Sequence, residues 1–119
     1  MIERWLEEIK RSGNKEQMGM LLVHNGIVRA TSKDGRPVGG MELSYDKKEL
    51  DRLVAAFQER EGIVAIRVWI NEGTLAVGDD IMFILVAGRF RTDVLPVLQE
   101  LLTAVKRDVV REREISTPQ

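Results

Sequence analysis

Apolar residues recur along this chain with two different periods, and the switches between them mark out most of its elements. In "IERWLEEIKR", Ile2, Trp5, Leu6 and Ile9 fall three and four residues apart, which predicts an amphipathic helix covering one edge of the core. A polar loop, "SGNKEQ", separates it from "MGMLLVHNGIVRA", which is dense in Leu, Val and Ile and reads as a strand. Asp34-Gly35 marks a turn, and Pro37 opposes ladder pairing just beyond it. A second strand, "VGGMELSY", carries two glycines that suggest a bulge or a close backbone approach.

The second half repeats the alternation. "DKKELDRLVAAFQERE" sets Leu50, Leu53, Val54 and Phe57 on one helical face, with Asp46 as N-cap and Gly62 past the end. In "IVAIRVWI", Val64, Ile66, Val68 and Ile70 share one side of a strand, while Arg67 and Trp69 share the other. "DIMFILVA" is apolar at every position from Ile81 on and predicts a central strand covered on both faces, entered through a turn at Gly78-Asp79. The last helix starts near Thr92 or Asp93. Pro96 favours Asp93 as its N-cap, because the proline then falls in the first turn, where its missing N–H has no helical partner. Its buried stripe is Val94, Leu98, Leu101, Leu102 and Val105, and Lys106 lies on the border of that stripe. "VVREREISTPQ" is an edge strand or a tail.

Helix, strand, strand, helix, strand, strand, helix and a final segment predict an α+β fold, with helices packed on a mostly antiparallel sheet. Without repeats, linkers or low-complexity blocks, the 119 residues read as one domain, 1–119. No apolar run approaches the ~18 residues that a membrane span needs, and the acidic start does not resemble a secretory signal. A cytoplasmic protein with no membrane partner is expected.

Charge and composition narrow the chemistry. A net charge of −1 supplies no global positive field for nucleic acid, so any basic function must be local. The absence of cysteine excludes thiolate nucleophiles and cysteine metal sites. A single histidine, His24, makes a multi-histidine metal centre an unfavoured reading, and no metal or cofactor is expected. Read alone, Arg89, Arg91, Arg111 and Arg113 form a solvated charge cluster interleaved with Asp93, Glu112 and Glu114. Lys106 reads as a side chain snorkelling from an apolar stripe, Arg29 as a surface arginine at a strand end, and His24 as a packed or strand-face histidine.

Three stretches carry a family resemblance: "NGIVRA" (25–30), "GTLAVGDDIMFILVA" (73–87), and "FRTD" leading to "LQELLTAVK" (98–106). Together they resemble the large subunit of molybdopterin synthase, the MoaE family, from about residue 19 to residue 115. The resemblance implies an α/β hammerhead-type fold and a homodimer at the centre of a heterotetramer. A small ubiquitin-like, MoaD-like subunit would bring a C-terminal thiocarboxylate, whose sulfur passes to cyclic pyranopterin monophosphate in molybdenum cofactor biosynthesis. The resemblance makes Lys106 the catalytic residue, and Arg29, Arg91 and Arg113 substrate-binding residues expected to converge on one pocket. Planar guanidinium forks suit a cyclic phosphate, and an amine suits proton transfer.

The chain also departs from the family pattern. Phe90 stands where the family has the histidine before Arg91, and it can neither transfer a proton nor donate a hydrogen bond. Arg113 replaces a second lysine, and Glu112 a tryptophan, in the closing "W-K-K-E"-like segment. These departures leave a second reading open, a catalytically degenerate relative that binds a partner or regulates. An unrelated α+β dimer is the third.

Overall fold

The structure, a computed structural model, describes residues 1–12 and 15–117. Its elements are α1 (Ile2–Arg11), β1 (Met20–Ile27), β2 (Val38–Tyr45), α2 (Lys47–Gln58), β3 (Ile63–Ile70), β4 (Gly73–Ala76), β5 (Asp80–Gly88), α3 (Arg91–Ala104) and β6 (Val110–Ser116). Part of the polar loop before β1 and the last two residues of the final segment lie outside the described residues; within that loop, Lys15–Gln17 form one 3₁₀ turn.

The α+β class holds, with every paired strand antiparallel, but the strands divide between two sheets. One has the order β1-β5-β3 and the other β4-β2-β6. The connection between β1 and β2 therefore joins two sheets instead of continuing one. Asp34-Gly35 does form its turn, with Gly35 at φ 85° and its N–H bonded to the Ser32 carbonyl at 3.0 Å. Pro37 makes only an isolated bridge with Thr31, and β2 begins at the next residue.

β5 is central in its sheet, and residues 84–87 are fully buried. Alternation sends Met82, Ile84 and Val86 to one face and Leu85 and Ala87 to the other. The first face meets α2 and α3 through Leu50, Leu53, Phe57, Val94, Val97 and Leu101, and this core also takes in Met41, Leu43 and Leu75 of the second sheet. The second face is covered by α1, whose Ile9 and Trp5 pack on Leu85 and Ala87 as the helical spacing predicts. At roughly 1.5–3 kcal/mol for each fully buried aliphatic side chain, these two layers outweigh any single surface ion pair.

Four local expectations are resolved by packing. Asp46 caps α2 by accepting from the Glu49 N–H at 3.1 Å. The Gly39-Gly40 pair lies at a bulge, and a Cβ at Gly40 would come within 2.5 Å of the Leu75 carbonyl oxygen, so β4 sits close because that glycine is bare. Val64 is a correction: a register shift between Ile63 and Ala65 turns it to the α1 face, away from Ile66, Val68 and Ile70. The start of α3 is another. It begins at Arg91 with Phe90 as an uncapped N-cap, since Asp93 turns to Arg89, leaving Pro96 in the second turn at the expense of one helical bond.

Candidate functional site

α3 does not end at Ala104. Residues Val105–Val109 continue it as one π-helical turn, whose last carbonyl accepts from the Asp46 N–H at 2.9 Å. Within this wider turn Val105 and Val109 are buried and Lys106 is exposed. Single π turns of this kind recur at functional sites because they re-aim a side chain without ending the helix.

Lys106 lines a cavity of about 610 Å³ at the junction of the two sheets. The end of β1 supplies His24 and Gly26, the β1–β2 loop supplies Arg29, Lys33, Asp34 and Arg36, and β6 supplies Glu112 and Glu114. Met41, Ile81 and Met82 form an apolar floor. Four basic side chains thus face three acidic ones. Arg36 is paired with Asp34 at 3.0 Å, and Asp34 also accepts from the Ser32 hydroxyl. The Ser32 hydrogen bond, and then Arg36, hold the Asp34 carboxyl below the usual carboxylate range. Arg29, Lys33 and Lys106 enter none of the ion pairs among the described residues, so they are available to an anion.

Of the four predicted site residues, the fold brings two together, Lys106 and Arg29. Arg113 does not join them. β6 is a strand, and alternation puts Glu112 and Glu114 into the cavity while Arg113 faces away. There it pairs with Glu42, its direct cross-strand neighbour on β2, at 2.6 Å, and it borders a separate groove of about 440 Å³. Arg91 is also elsewhere. It opens α3, whereas Lys106 follows its end, and fifteen residues of helix span about 22 Å. The expected convergence of all four residues is therefore not met within one chain.

The cavity also holds groups that the sequence alone reads as packing or surface charge. His24 shares the cavity with Lys106, and its Nε2 is buried with no hydrogen-bond partner among the described residues. Burial, and then the charge of Lys106, push this imidazole below its ordinary pKa of 6.5. The available signal was its place in β1, in phase with Met20 and Leu22 on the core-facing side. Glu112 and Glu114 were legible only as members of a mixed charge cluster. Among the described residues, no cluster of acidic, histidine or cysteine side chains could hold a metal ion, and no helix is long and apolar enough to cross a membrane.

A two-sheet α+β domain with a lysine and an arginine free at a sheet junction is an anion-suited scaffold of a particular kind. The chain belongs to the MoaE family: the model described as "MoaE protein" matches residues 3–108, a span that includes Arg29, Arg91 and Lys106 and stops short of Arg113. Among solved structures, the chain is similar to molybdopterin synthase from Staphylococcus aureus, at 21% identity and a TM-score of 0.74, covering 86% of this chain and 77% of that one. It is similar to a molybdopterin biosynthesis MoaE protein from Burkholderia ambifaria, at 18% identity and a TM-score of 0.74, covering 100% and 84%. A third likeness is to the complex of subunits 1 and 2 of molybdopterin-converting factor from Helicobacter pylori, at 14% identity and a TM-score of 0.69, covering 99% and 84%. No curated protein matches the chain.

Proposed function

We propose that this chain is the large subunit of a molybdopterin synthase, transferring sulfur from the C-terminal thiocarboxylate of a small ubiquitin-like subunit to cyclic pyranopterin monophosphate. Membership of the MoaE family gives it a role in molybdenum cofactor biosynthesis. The observation that carries the finer reading is the meeting of Lys106 and Arg29 in one cavity, from positions 77 residues apart. In this reading Arg29 holds the cyclic phosphate through its planar fork, and the Lys106 amine moves protons at the reacting centre. The absence of cysteine fits a sulfur delivered by a partner. The test is direct: combine the chain with a thiocarboxylated small subunit and cyclic pyranopterin monophosphate, and assay the fluorescent oxidation product of molybdopterin. No product above a mixture lacking the chain would overturn the proposal.

A homodimer is part of the same proposal. Trp5 is occupied on the chain's own sheet, but Trp69 and Phe83, which stack at 5.1 Å, stay outside the buried cluster under α1, and Val23 of β1 is 37% exposed. An apolar patch of this kind suits a second copy. A dimer also resolves the position of Arg91, which can approach a cavity holding Lys106 only from the partner subunit. Light scattering at micromolar concentration should give twice the chain mass, and a monomer would remove this part.

One observation favours the alternative of a degenerate, partner-binding relative. Glu112 and Glu114 bring two carboxylates to a cavity meant for an anion, while Arg113 is held by Glu42. That protein would bind the small subunit and give no product.

A further inference from the structure

His24 has the least conventional environment in the chain. It lies on β1 opposite Ile84, on the face of the first sheet that meets α3, two residues after Leu22 of the core. A histidine packed for stability bonds both ring nitrogens or leaves one to solvent, whereas here Nε2 is buried and unpartnered among the described residues. A fold keeps a buried nitrogen in that condition where something else supplies the partner. The chain leaves room for one. Gly26 follows on the same side of β1, and a Cβ there would stand 3.4 Å from Nε2.

A donor is present in Lys106, which lines the same cavity, acts on the His24 ring through its charge, carries three N–H donors, and enters no ion pair among the described residues. We infer that His24 is a positioning residue for Lys106, its neutral Nε2 accepting a hydrogen bond from the Lys106 ammonium and holding Nζ over the cavity. The inference rests on the function proposed above for its consequence in turnover, but not for the contact itself. The proton stays on Nζ in this contact, so no bond to carbon forms and no co-reactant is needed.

The arrangement needs a neutral imidazole, and the surroundings provide one. α3 packs on this side through Val94, Val97, Leu101 and Ala104, none of which titrates, and the β5 neighbours Met82 and Ile84 are apolar. The charged groups facing the cavity are Lys106 from the π turn, Glu112 and Glu114 from β6, and Arg29, Lys33 and the Asp34–Arg36 pair from the loop. Burial, reinforced by the Lys106 charge, lowers the ring's pKa and so favours its neutral form.

Because His24 is the only histidine in the chain, its ring Cε1 proton gives a single NMR resonance that titrates alone. The experiment follows that resonance in the full chain, in wild type, Lys106→Met and Arg29→Gln, with ring ¹⁵N shifts to identify the tautomer. The expected result is a neutral form protonated at Nδ1, and a midpoint that rises in Lys106→Met and moves less in Arg29→Gln. In the sulfur-transfer assay, His24→Leu should lower kcat roughly tenfold with KM little changed, and His24→Gln, which retains an acceptor, should recover most of it. A midpoint unchanged by Lys106→Met, or a proton on Nε2, overturns the inference whatever the turnover. So does an undiminished kcat in His24→Leu. Wild type that shows the coupling but makes no product overturns the proposed function and leaves the contact standing.

Discussion

The two ends of α3 carry basic residues of the same kind and treat them in opposite ways. At the start, Arg89 is engaged by Asp93 at 3.4 Å and by Glu61 at 3.6 Å, and its guanidinium lies 5.6 Å from the centre of the Phe90 ring. A Cβ on Gly62 would overlap the Asp93 carboxylate, so this end is closed by tight local packing around paired charge. At the other end the helix opens into a π turn, and Lys106 meets Arg29 and His24 around a cavity with its own charge unpaired among the described residues. Paired charge at a tightly packed end fixes a loop, whereas unpaired charge beside a cavity is free to bind. The same sequence feature, an arginine or lysine next to an apolar stripe, supports either outcome.

Substitutions at four positions test this contrast. The largest effect is expected in the middle of the helix, where fully buried Leu101 ties both ends to β5: Leu101→Ala should cost about 2–5 kcal/mol of stability by urea denaturation and loosen both ends together. Next comes Lys106→Ala, expected to lower sulfur transfer by about a hundredfold or more, with a urea midpoint close to wild type, because the side chain is exposed. Lys106→Arg should fail nearly as badly, since a guanidinium keeps its proton. Full turnover in Lys106→Ala would erase the distinction between the two ends.

A smaller effect is expected from His24. Its pKa is lower in the folded chain than the ordinary 6.5, so between those two values the unfolded chain binds more protons. Its contribution to stability is therefore fully present above pH 6.5 and is lost as pH falls through the lowered folded value. Urea midpoints compared at about pH 7.5 and about pH 5 should fall less in His24→Gln than in wild type. The smallest effect is expected at Arg113, where Arg113→Lys should leave turnover unchanged, because the side chain faces Glu42 and not the cavity. A rise in turnover would mean that the second groove communicates with the first.

Much of this architecture follows from local pattern. The spacing of Leu50, Leu53 and Phe57, the Asp46 cap, the two-sided apolar run of β5 and the placement of Lys106 on the border of the α3 stripe are each decided within a few residues, by backbone geometry and the need to bury one face. Arg29 and Lys106 were singled out from motif resemblance, and the fold puts them in one cavity. Other features depend on which strand lies beside which. β4 is only four residues long, too short for a periodic signal, and it exists because β2 offers an edge to pair with. The division into two sheets places β1, β3 and β5 in one and β2, β4 and β6 in the other, so that the chain changes sheet at every successive strand, a pattern set by long-range pairing. Whether Glu112 or Arg113 enters the cavity is a matter of register against β2, since a one-residue slip would exchange the two faces. His24 and Lys106 are 82 residues apart, and their meeting depends on α3 packing across β1 and ending in a π turn. Sequence by itself determined the elements and which face of most of them is apolar, because those are short-range consequences of geometry and burial; tertiary structure alone decided that Arg29, His24 and Lys106 share a cavity and that Arg113 is held by Glu42, because those neighbours are reached only after the chain has folded.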